Sequence, residues 1–459
     1  MTEDFYNAED GKYREFWDPT GSLHWGVFED DSTAFAVGCA RWTEAMLRAA
    51  GIGSDSRVLD LGCGNGTVSA WLAQQTGARV TGIDLSAVRI ANARGLAAAN
   101  PQLDLEFITC SAAALPFADH TFTHVFSQAV LYHVHAREQA LAEVARVLEP
   151  GGVFVFDDLV TPQRPVSALA REVVYDRLLF EPTFSAEHYL AALTRHGFMV
   201  SETRDMSPHL ARSYELLADL AEPSYPNLAA VYRKIPEVVW NSEVGWCFFR
   251  GQKVVDKLAW IYRPDSQCTL EQKYDAWALT YDSDLGDDYQ ENPRRAARLL
   301  GECLPPDGGP VLDAGAGTGR VGEELRKLGY DDITALDRSH GMLSRAAAKG
   351  VYRRLVRGTL ADAPTLFAQQ QFSAIVAVGV FTFAHADPAD LVALDEVLRP
   401  GGWVVIAVRA DYFAEHPVLS ETLVELGYAV VACDEYTIFD AEPMIALCCR
   451  KTLCDKGIS

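Results

Sequence analysis

Two short segments of the sequence combine an aspartate with three glycines in the order Asp-x-Gly-x-Gly-x-Gly. Their residues are Asp60, Gly62, Gly64 and Gly66 in the first segment, and Asp313, Gly315, Gly317 and Gly319 in the second. Glycines at a turn between a strand and a helix let a ligand approach the backbone, because a Cβ there would clash. The free N–H groups of the following helix then face that ligand. The motif predicts a ligand cradle, although dinucleotide-binding folds use a similar G-x-G-x-x-G turn.

A further acid follows each glycine segment at the end of the next predicted strand. These residues are Asp84 and Asp337. A carboxylate in that position can accept hydrogen bonds from both hydroxyls of a ribose. It would serve a dinucleotide or S-adenosylmethionine equally well, so the acids alone do not choose between these cofactors.

The two segments belong to a long internal repeat. Asp60 and Asp313 are 253 positions apart, and Asp84 and Asp337 keep the same separation. A later Pro-Gly-Gly at residues 150–152 recurs at 400–402, a separation of 250 positions that is three shorter than that of the aspartates. Three landmarks in the same order predict two copies of one domain.

Strand and helix patterns alternate within each copy. In the first copy we predict strands at 57–61 and 79–83, with helices at 68–75 and 87–100. Alternation of this kind predicts an α/β fold with a parallel sheet covered on both faces. The predicted domains are residues 1–258, with an N-terminal lid and a helical insertion at 208–240 before a last strand at 243–254. A linker at 259–268 and a second domain at 269–451 follow.

Composition narrows the classes of partner. The net charge of −23 repels phosphate backbones and anionic lipid surfaces, so we expect neither a nucleic-acid nor a membrane partner. The ten cysteines are scattered without a C-x-x-C pair, which predicts neither a disulfide framework nor a metal site. The acidic N-terminus lacks an apolar leader, so we expect a cytoplasmic protein. The sequence leaves the oligomeric state open.

The full set of motifs resembles the class I S-adenosylmethionine-dependent methyltransferases. The resemblance rests on Val-Leu-Asp-Leu-Gly-Cys-Gly-Asn-Gly (58–66), Gly-Ile-Asp-Leu-Ser (82–86), Ala-Leu-Pro-Phe-Ala-Asp-His-Thr-Phe (114–122) and Val-Leu-Glu-Pro-Gly-Gly (147–152). It implies two doubly wound, Rossmann-like domains in tandem with mostly parallel seven-stranded sheets. It also implies that S-adenosyl-L-methionine is the cofactor and S-adenosyl-L-homocysteine the product.

The resemblance assigns cofactor roles residue by residue. Asp60 and the three glycines would cradle the methionine end and the ribose, and Asp84 would hold the ribose hydroxyls. Leu85 would pack on the adenine, and Ser111 stands where the family often has an aspartate for the adenine amino group. Asp313, its three glycines and Asp337 are the equivalents in the second copy.

Each half resembles a different branch of the superfamily. The first half is similar to sarcosine and dimethylglycine N-methyltransferases and to sugar O-methyltransferases, through Leu-His-Trp-Gly-Val-Phe (23–28) and Gly-Trp-Cys-Phe-Phe (245–249). The second half is similar to the Williams-Beuren-region methyltransferase-like family, through the segment at 274–282. These likenesses imply a bifunctional enzyme that methylates small molecules, with an amine as the favoured acceptor. The alternative is an O-methyltransferase in which only the first domain is catalytic and the second is a binding or scaffold module.

Candidate acceptor-site residues follow from the predicted strand ends and lids. His133 and His385 are candidate bases or orienting groups, and Asp157 and Asp158 are catalytic candidates that could bind a cationic amine or accept its proton; ordinary packing or capping is the alternative. Aromatic and histidine side chains of the predicted N-terminal lid would surround a methylated cation or simply pack: Tyr6, Tyr13, His24 and Trp25. Tyr274 and Tyr281 would form the second lid, and Arg409 suits an anionic group.

Overall fold

The computed structural model describes residues 12–30, 32–263, 268–383, 385–439 and 441–452. The chain divides into two compact units, Met1–Asp256 and Lys257–Ser459, called here the N-terminal and C-terminal domains. Each has its own buried apolar core. No helix among the described residues combines the length and apolar character needed to cross a bilayer.

The N-terminal domain is a seven-stranded sheet with helices on its faces. Its strands are β1 Arg57–Leu61, β2 Arg79–Asp84, β3 Leu105–Thr109, β4 Phe122–Gln128, β5 Leu148–Val160, β6 Phe198–Asp205 and β7 Gly245–Lys253. The spatial order is β3-β2-β1-β4-β5-β7-β6. Only β7 runs antiparallel to its neighbours. This confirms the predicted α/β class with a mostly parallel sheet.

Helices connect these strands and cover both faces. They are α1 Phe35–Ala50, α2 Thr67–Thr76, α3 Ala87–Ala99, α4 Arg137–Val147, α5 Ala186–Arg195, α6 Ser207–Ala221, α7 Pro226–Tyr232 and α8 Ile235–Trp240. The last three form the predicted insertion between β6 and β7. They bury a dense aromatic cluster that includes Trp25, Tyr214 and Trp246.

The C-terminal domain repeats the topology. Its strands are β8 Val311–Ala314, β9 Ile333–Asp337, β10 Arg354–Arg357, β11 Phe372–Val378, β12 Leu398–Arg409, β13 Tyr428–Ile438 and β14 Glu442–Lys451. The order β10-β9-β8-β11-β12-β14-β13 is the same as in the first sheet, position for position. Here β13 and β14 follow one another closely, with no helical insertion between them.

The helices of the C-terminal domain begin earlier than expected. They are α9 Lys257–Tyr262, α10 Leu270–Trp277, α11 Tyr281–Leu285, α12 Glu291–Cys303, α13 Arg320–Lys327, α14 His340–Lys349, α15 Asp390–Val397, α16 Ala410–Glu415 and α17 Pro417–Glu425. The segment predicted as a linker, 259–268, therefore starts inside α9. This helix buries Trp260 and Ile261 and belongs to the C-terminal unit.

Candidate active sites

The N-terminal domain has a cavity of about 570 Å³ at the carboxyl ends of its central strands. The glycine turn after β1 forms one wall, with Gly62 and Gly64 in the lining. The backbone N–H groups of Gly62 and Cys63 both donate to the carbonyl of Ile83 at 2.8 Å, which fastens the turn to β2. The two lining glycines have φ angles of 83° and 54°, a region that side chains disfavour.

Asp84 connects the glycine turn to the next helix. One carboxylate oxygen accepts from the N–H of Gly64 at 3.0 Å, and the other accepts from the N–H of Ser86 at 2.8 Å. The Ser86 side chain in turn caps α3. The carboxylate lies in the cavity lining, where its remaining lone pairs can accept further hydrogen bonds.

The glycines differ in what surrounds them. A Cβ at Gly62 would meet Val130 at 2.4 Å, and one at Gly66 would meet Ala93 at 2.8 Å. A Cβ at Gly64 would have only Arg89 within reach, at 3.8 Å, and would occupy the cavity itself. Gly62 and Gly64 therefore keep the cradle open, whereas Gly66 lets the turn pack against α3 and is not in the lining.

The predicted residues at the two ends of the cradle also line this cavity. Asp60 is buried, which raises its pKa to about 7, and it accepts a hydrogen bond from the hydroxyl of Ser69. At the opposite end Leu85 leaves 51% of its surface exposed in the lining, where it can pack on a flat apolar group. Ser111 lies nearby and accepts from the N–H of Ala113 at 3.2 Å.

Histidines and an arginine form the remaining polar wall. Burial lowers the pKa of His133 to about 3, with the cations Arg89, Arg137 and Arg177 contributing, so its imidazole is neutral at physiological pH. His24 is also buried with a lowered pKa, and its Nδ1 lies 3.1 Å from the carbonyl of Trp25. Both histidines and Arg89 line the cavity. Sequence reasoning missed Arg89, because an arginine early in a helix carries no signal of its own.

Asp157 and Asp158 do not lie where the sequence analysis placed them. Both are fully buried on β5, outside the cavity lining, so neither is available to bind a cationic amine or to accept its proton. Asp157 accepts from the indole N–H of Trp42 and from the N–H of Ala129 at 2.8 Å. Asp158 accepts from the hydroxyl of Tyr189 and from the N–H of Tyr132 at 3.0 Å. Their carboxylates organise the strand ends.

Two predicted lid aromatics are likewise core residues. Trp25 packs within 5.7 Å of the Trp246 ring and 6.2 Å of the Tyr132 ring, and Tyr13 packs edge-on to Trp17 at 5.8 Å. Neither lines the cavity. Tyr6 lies outside the described residues. Of the predicted N-terminal lid, only His24 faces the cavity among the described residues.

The C-terminal domain repeats the cradle around a cavity of about 350 Å³, called here the proximal cavity and lined by Gly315, Gly317 and Asp337. The N–H of Gly317 donates to Asp337 at 2.8 Å, and Ser339 donates to the other oxygen at 2.8 Å. Burial raises the pKa of Asp337. A Cβ on Gly317 would meet nothing within 4 Å and would enter the cavity.

Asp313 departs from the first copy. Its carboxylate accepts from the hydroxyl of Tyr352 at 2.5 Å and lies outside the lining of the proximal cavity, as does Gly319. Burial raises the pKa of Asp313 to about 7. Direct cofactor contacts predicted for Asp313 and Gly319 are therefore not supported, because both residues pack behind the turn.

A second cavity of about 270 Å³ adjoins the proximal one and is called here the distal cavity, lined by Tyr262, Asn292 and Arg409 among others. Tyr274, Tyr281 and Tyr289 line both cavities. The sequence analysis did not predict Tyr289. In the structure its hydroxyl lies where a Cβ on Gly379 would be, at 2.6 Å, so the glycine makes room for this tyrosine.

Arg409, predicted to suit an anionic group, already contacts two carboxylates of the chain. Its guanidinium donates to both oxygens of Asp411, at 3.0 and 2.6 Å, and lies 3.0 Å from a carboxylate oxygen of Glu442. Two neighbouring carboxylates thus already neutralise its charge. An anionic acceptor would have to displace one of them.

Tyr274 and His385 form a hydrogen-bonded pair where the two cavities meet. The hydroxyl of Tyr274 contacts Nε2 of His385, and Nδ1 of His385 lies 2.7 Å from the carbonyl of Phe383. Only a protonated Nδ1 can donate to that carbonyl, and burial lowers the pKa of His385, so Nε2 is the acceptor for Tyr274.

Comparison with known proteins decides the family. Residues 59–156 and 312–406 each match the model of a methyltransferase domain. A sarcosine/dimethylglycine N-methyltransferase of Halorhodospira halochloris is 30% identical over 216 residues, which cover 46% of this chain and 76% of that protein. The chain belongs to the S-adenosylmethionine-dependent methyltransferases.

Two further relatives match over shorter shares of their length. A glycine/sarcosine/dimethylglycine N-methyltransferase of Actinopolyspora halophila is 31% identical over 231 residues, 49% of this chain and 40% of that protein. Methyltransferase-like protein 27 of Homo sapiens is 35% identical over 140 residues, 30% of this chain and 57% of that protein. The present chain thus matches less than two thirds of the length of each of these two relatives.

S-adenosylmethionine is the cofactor of this methyltransferase family, and the cradle geometry fits it. The turn at Gly64 and the turn at Gly317 leave room for a ligand against the backbone, and Asp84 and Asp337 offer carboxylate lone pairs beside it. In the N-terminal domain Leu85 and Ser111 would hold the adenine end. These residues would bind and orient the cofactor, which is a physical reason for the two motifs to recur.

Proposed function

We propose that this methyltransferase is bifunctional, with each domain transferring a methyl group from S-adenosylmethionine to its own small-molecule acceptor. The observation that carries the proposal is the repeated cradle: the Gly64–Asp84 and Gly317–Asp337 hydrogen bonds are both formed, and each opens on a cavity. A domain kept only as a scaffold has no need of an open ligand cradle. Cavities of this size suit small ligands.

The bound cofactor supplies an electrophilic methyl group on a sulfonium. The chain must align the acceptor with it and exclude water, and such orientation can contribute much of the acceleration. In the N-terminal domain the neutral imidazole of His133 can accept a hydrogen bond from the acceptor and hold it in place.

An amine that also carries an anionic group is our proposed acceptor for the N-terminal domain. Its support is twofold. The relatives from Halorhodospira and Actinopolyspora are named for glycine, sarcosine and dimethylglycine. In addition, Arg89, Arg137 and Arg177 surround His133 with positive charge, which disfavours a purely cationic acceptor and favours one with a carboxylate. We further propose that the enzyme acts in the cytoplasm, with its buried thiols such as Cys448 and Cys449 reduced.

The test is cofactor stoichiometry combined with turnover. Titration calorimetry with S-adenosylhomocysteine should give two sites per chain for the wild type and one for each of Asp84→Asn and Asp337→Asn. The exposed Asp55→Asn and Asp307→Asn variants are matched controls. With labelled S-adenosylmethionine and a panel of amines and phenols, each cradle variant should lose a different methylated product.

If Asp337→Asn left every product and the stoichiometry unchanged, the C-terminal domain would be a support module. Methyl transfer into nucleic acid in place of small molecules would overturn the proposal altogether.

A further inference from the structure

The distal cavity of the C-terminal domain is mostly apolar. Side chains from α9, α10 and the β13–β14 region form its walls, with Tyr262, Trp277, Phe439 and Met444 as the bulky apolar members. The charged lining groups are Arg409 and Glu442, which pair with one another at 3.0 Å. An ammonium or a carboxylate would meet no unpaired partner there among the described residues. The cavity therefore favours a neutral ligand with an aromatic or apolar body.

Asn292 provides one polar contact inside this cavity. It lies on α12 with none of its surface exposed. Its Oδ1 accepts from the hydroxyl of Tyr436 at 2.7 Å, whereas its Nδ2 has no hydrogen-bond partner within the described parts of the chain. A buried donor without an acceptor costs about 1–3 kcal/mol. Because Nδ2 has no accessible surface, a ligand oxygen must displace the wall beside Asn292 slightly to accept this hydrogen bond, and in doing so it recovers that cost.

The Tyr274–His385 pair lies at the junction with the proximal cavity. Tyr274 lines both cavities, and His385 lines the proximal one. The ring of Tyr262 lies 5.3 Å from that of His385, and Arg338 is the cation that lowers the pKa of His385 further. An acceptor in the distal cavity that reaches toward a cofactor in the proximal cavity passes among the residues that line both cavities, which are Tyr274, Tyr281, Tyr289 and Gly379.

We propose that the distal cavity binds the acceptor of the C-terminal domain, and that this acceptor is a neutral phenol with a carbonyl oxygen, held by Asn292 and deprotonated through Tyr274 and His385. The inference rests on the proposed function, because it assumes that this domain transfers methyl groups. It assigns the two domains acceptors of different charge.

The Tyr274–His385 pair would carry the phenol proton away in two linked transfers. The phenol proton moves to Oη of Tyr274 while the Tyr274 proton moves to Nε2 of His385. The phenol oxygen forms the new O–CH₃ bond as the S–CH₃ bond breaks and leaves its electron pair on sulfur. The imidazolium then carries the positive charge that the sulfonium loses. Tyr274 ends the step protonated, and His385 returns its proton to solvent after release of the product.

Ligand binding without cofactor tests the cavity assignment. The probes are 4-hydroxyacetophenone and 4-ethylphenol, which share the phenol and differ in the carbonyl. On the full wild-type chain we expect the ketone to bind about tenfold more tightly, because only the ketone satisfies Asn292 Nδ2. In Asn292→Leu the two affinities should converge. Equal affinities on the wild type, a comparison that needs no variant, would overturn the assignment.

Charge selectivity and the proton relay are tested separately. Tyramine and 4-hydroxybenzoate, which add an ammonium or a carboxylate to the phenol, should bind at least about tenfold more weakly than the ketone. In an Asp84→Asn background, which isolates the C-terminal domain, Tyr274→Phe should lower kcat for 4-ethylphenol about a hundredfold. The same substitution should have much less effect on 4-nitrophenol, which arrives as the phenolate. An equal loss for both phenols would overturn the relay, because it would indicate a structural role.

Failure of this inference can be distinguished from failure of the proposed function. If the Asp84→Asn chain binds no S-adenosylhomocysteine, the C-terminal domain has no cofactor and the proposed function fails. If it binds the cofactor product but shows no preference for the ketone probe, the proposed function stands and the distal-cavity assignment is wrong.

Discussion

Ala129 has a left-handed backbone, with φ of 57°, where β4 ends at the N-terminal cavity. The equivalent residue of the second copy is Gly379, with φ of 68°. A non-glycine residue pays about 1–2 kcal/mol for this conformation. Both residues donate their N–H to the backbone carbonyl of the facing β-strand residue, Ala129 to Asp157 at 3.3 Å and Gly379 to Ala407 at 2.9 Å. Only in the first copy does a carboxylate oxygen, that of Asp157, accept the same N–H as well, at 2.8 Å. The carboxylate first assigned to catalysis thus compensates for a missing glycine.

A double-mutant cycle measures this compensation. Asp157→Ala should destabilise the N-terminal domain by about 2–4 kcal/mol, because Trp42 loses its acceptor and Ala129 keeps only the longer bond to the backbone carbonyl of residue 157. Ala129→Gly alone should be close to neutral, since relief of strain offsets the greater freedom of the unfolded chain. In the Asp157→Ala background the glycine should recover about 1 kcal/mol, measured by denaturant unfolding. Additive effects would show that Asp157 does not hold Ala129.

The same aspartate predicts a pH dependence of stability. Burial raises the pKa of Asp157 to about 7, above its value in the unfolded chain. Between about pH 4 and about pH 7 the native state keeps a proton that the unfolded state releases, so the contribution of Asp157 to stability falls as pH rises. The unfolding free energy of Asp157→Asn relative to wild type should shift in favour of the variant over that window and stay flat above it. Asp55→Asn, an exposed control, should show no such shift, and a flat difference for Asp157→Asn would contradict the assignment.

The strand–turn–helix elements were accessible from sequence because their signals are local. The predicted strand at 57–61 and the predicted helix at 87–100 match β1 and α3 to within a residue. Glycines and a capping serine mark their ends within a few positions. The residues that carry the cradle could therefore be named from the amino-acid sequence alone.

The acceptor sites depend on contacts that no local pattern carries. Asp158 lies one residue beyond Asp157 on β5, and the sequence does not reveal that Tyr189 and Tyr132 enclose its carboxylate. The hydroxyl of Tyr352, 39 positions further along the chain, donates a hydrogen bond to the carboxylate of Asp313. Asn292 is one of several polar residues on the amphipathic helix α12, and tertiary packing decides that it is buried. Such side-chain environments follow from the assembled fold.

Helix α9 is predicted to stabilise the C-terminal domain. It buries Trp260 and Ile261, and Lys257 pairs with Asp284 at 2.5 Å. Its carbonyl at Trp260 also accepts from the ammonium of Lys273 at 2.9 Å. A fragment that starts at Lys257 should therefore unfold cooperatively, whereas one that starts at Thr269 should lose several kcal/mol of stability. Thermal unfolding followed by circular dichroism compares the two; equal midpoints would mean that α9 contributes nothing to the domain.

At the scale of the whole molecule, the two copies share their glycine cradle and strand order but differ in the elements around their cavities. Both copies keep the cradle and the strand order. The N-terminal domain adds the insertion α6–α8 between β6 and β7, whereas the C-terminal domain joins β13 to β14 directly and places α9 and three tyrosines beside its proximal cavity. Different cavity walls on a common cradle are what the proposed pair of distinct acceptors requires.

Because each domain has its own core and its own cradle, we predict that a bound ligand stabilises each domain independently. S-adenosylhomocysteine at about a hundredfold above its dissociation constant should stabilise each domain by about 2.7 kcal/mol, which raises a midpoint by about 5–10 °C for domains of this size. Scanning calorimetry of Asp84→Asn should show the shift only in the C-terminal transition, and Asp337→Asn only in the N-terminal one. The Asp55→Asn control should show both. A shift of both transitions in either cradle variant would contradict independent domains, because a ligand can stabilise an empty domain only through coupling to the occupied one.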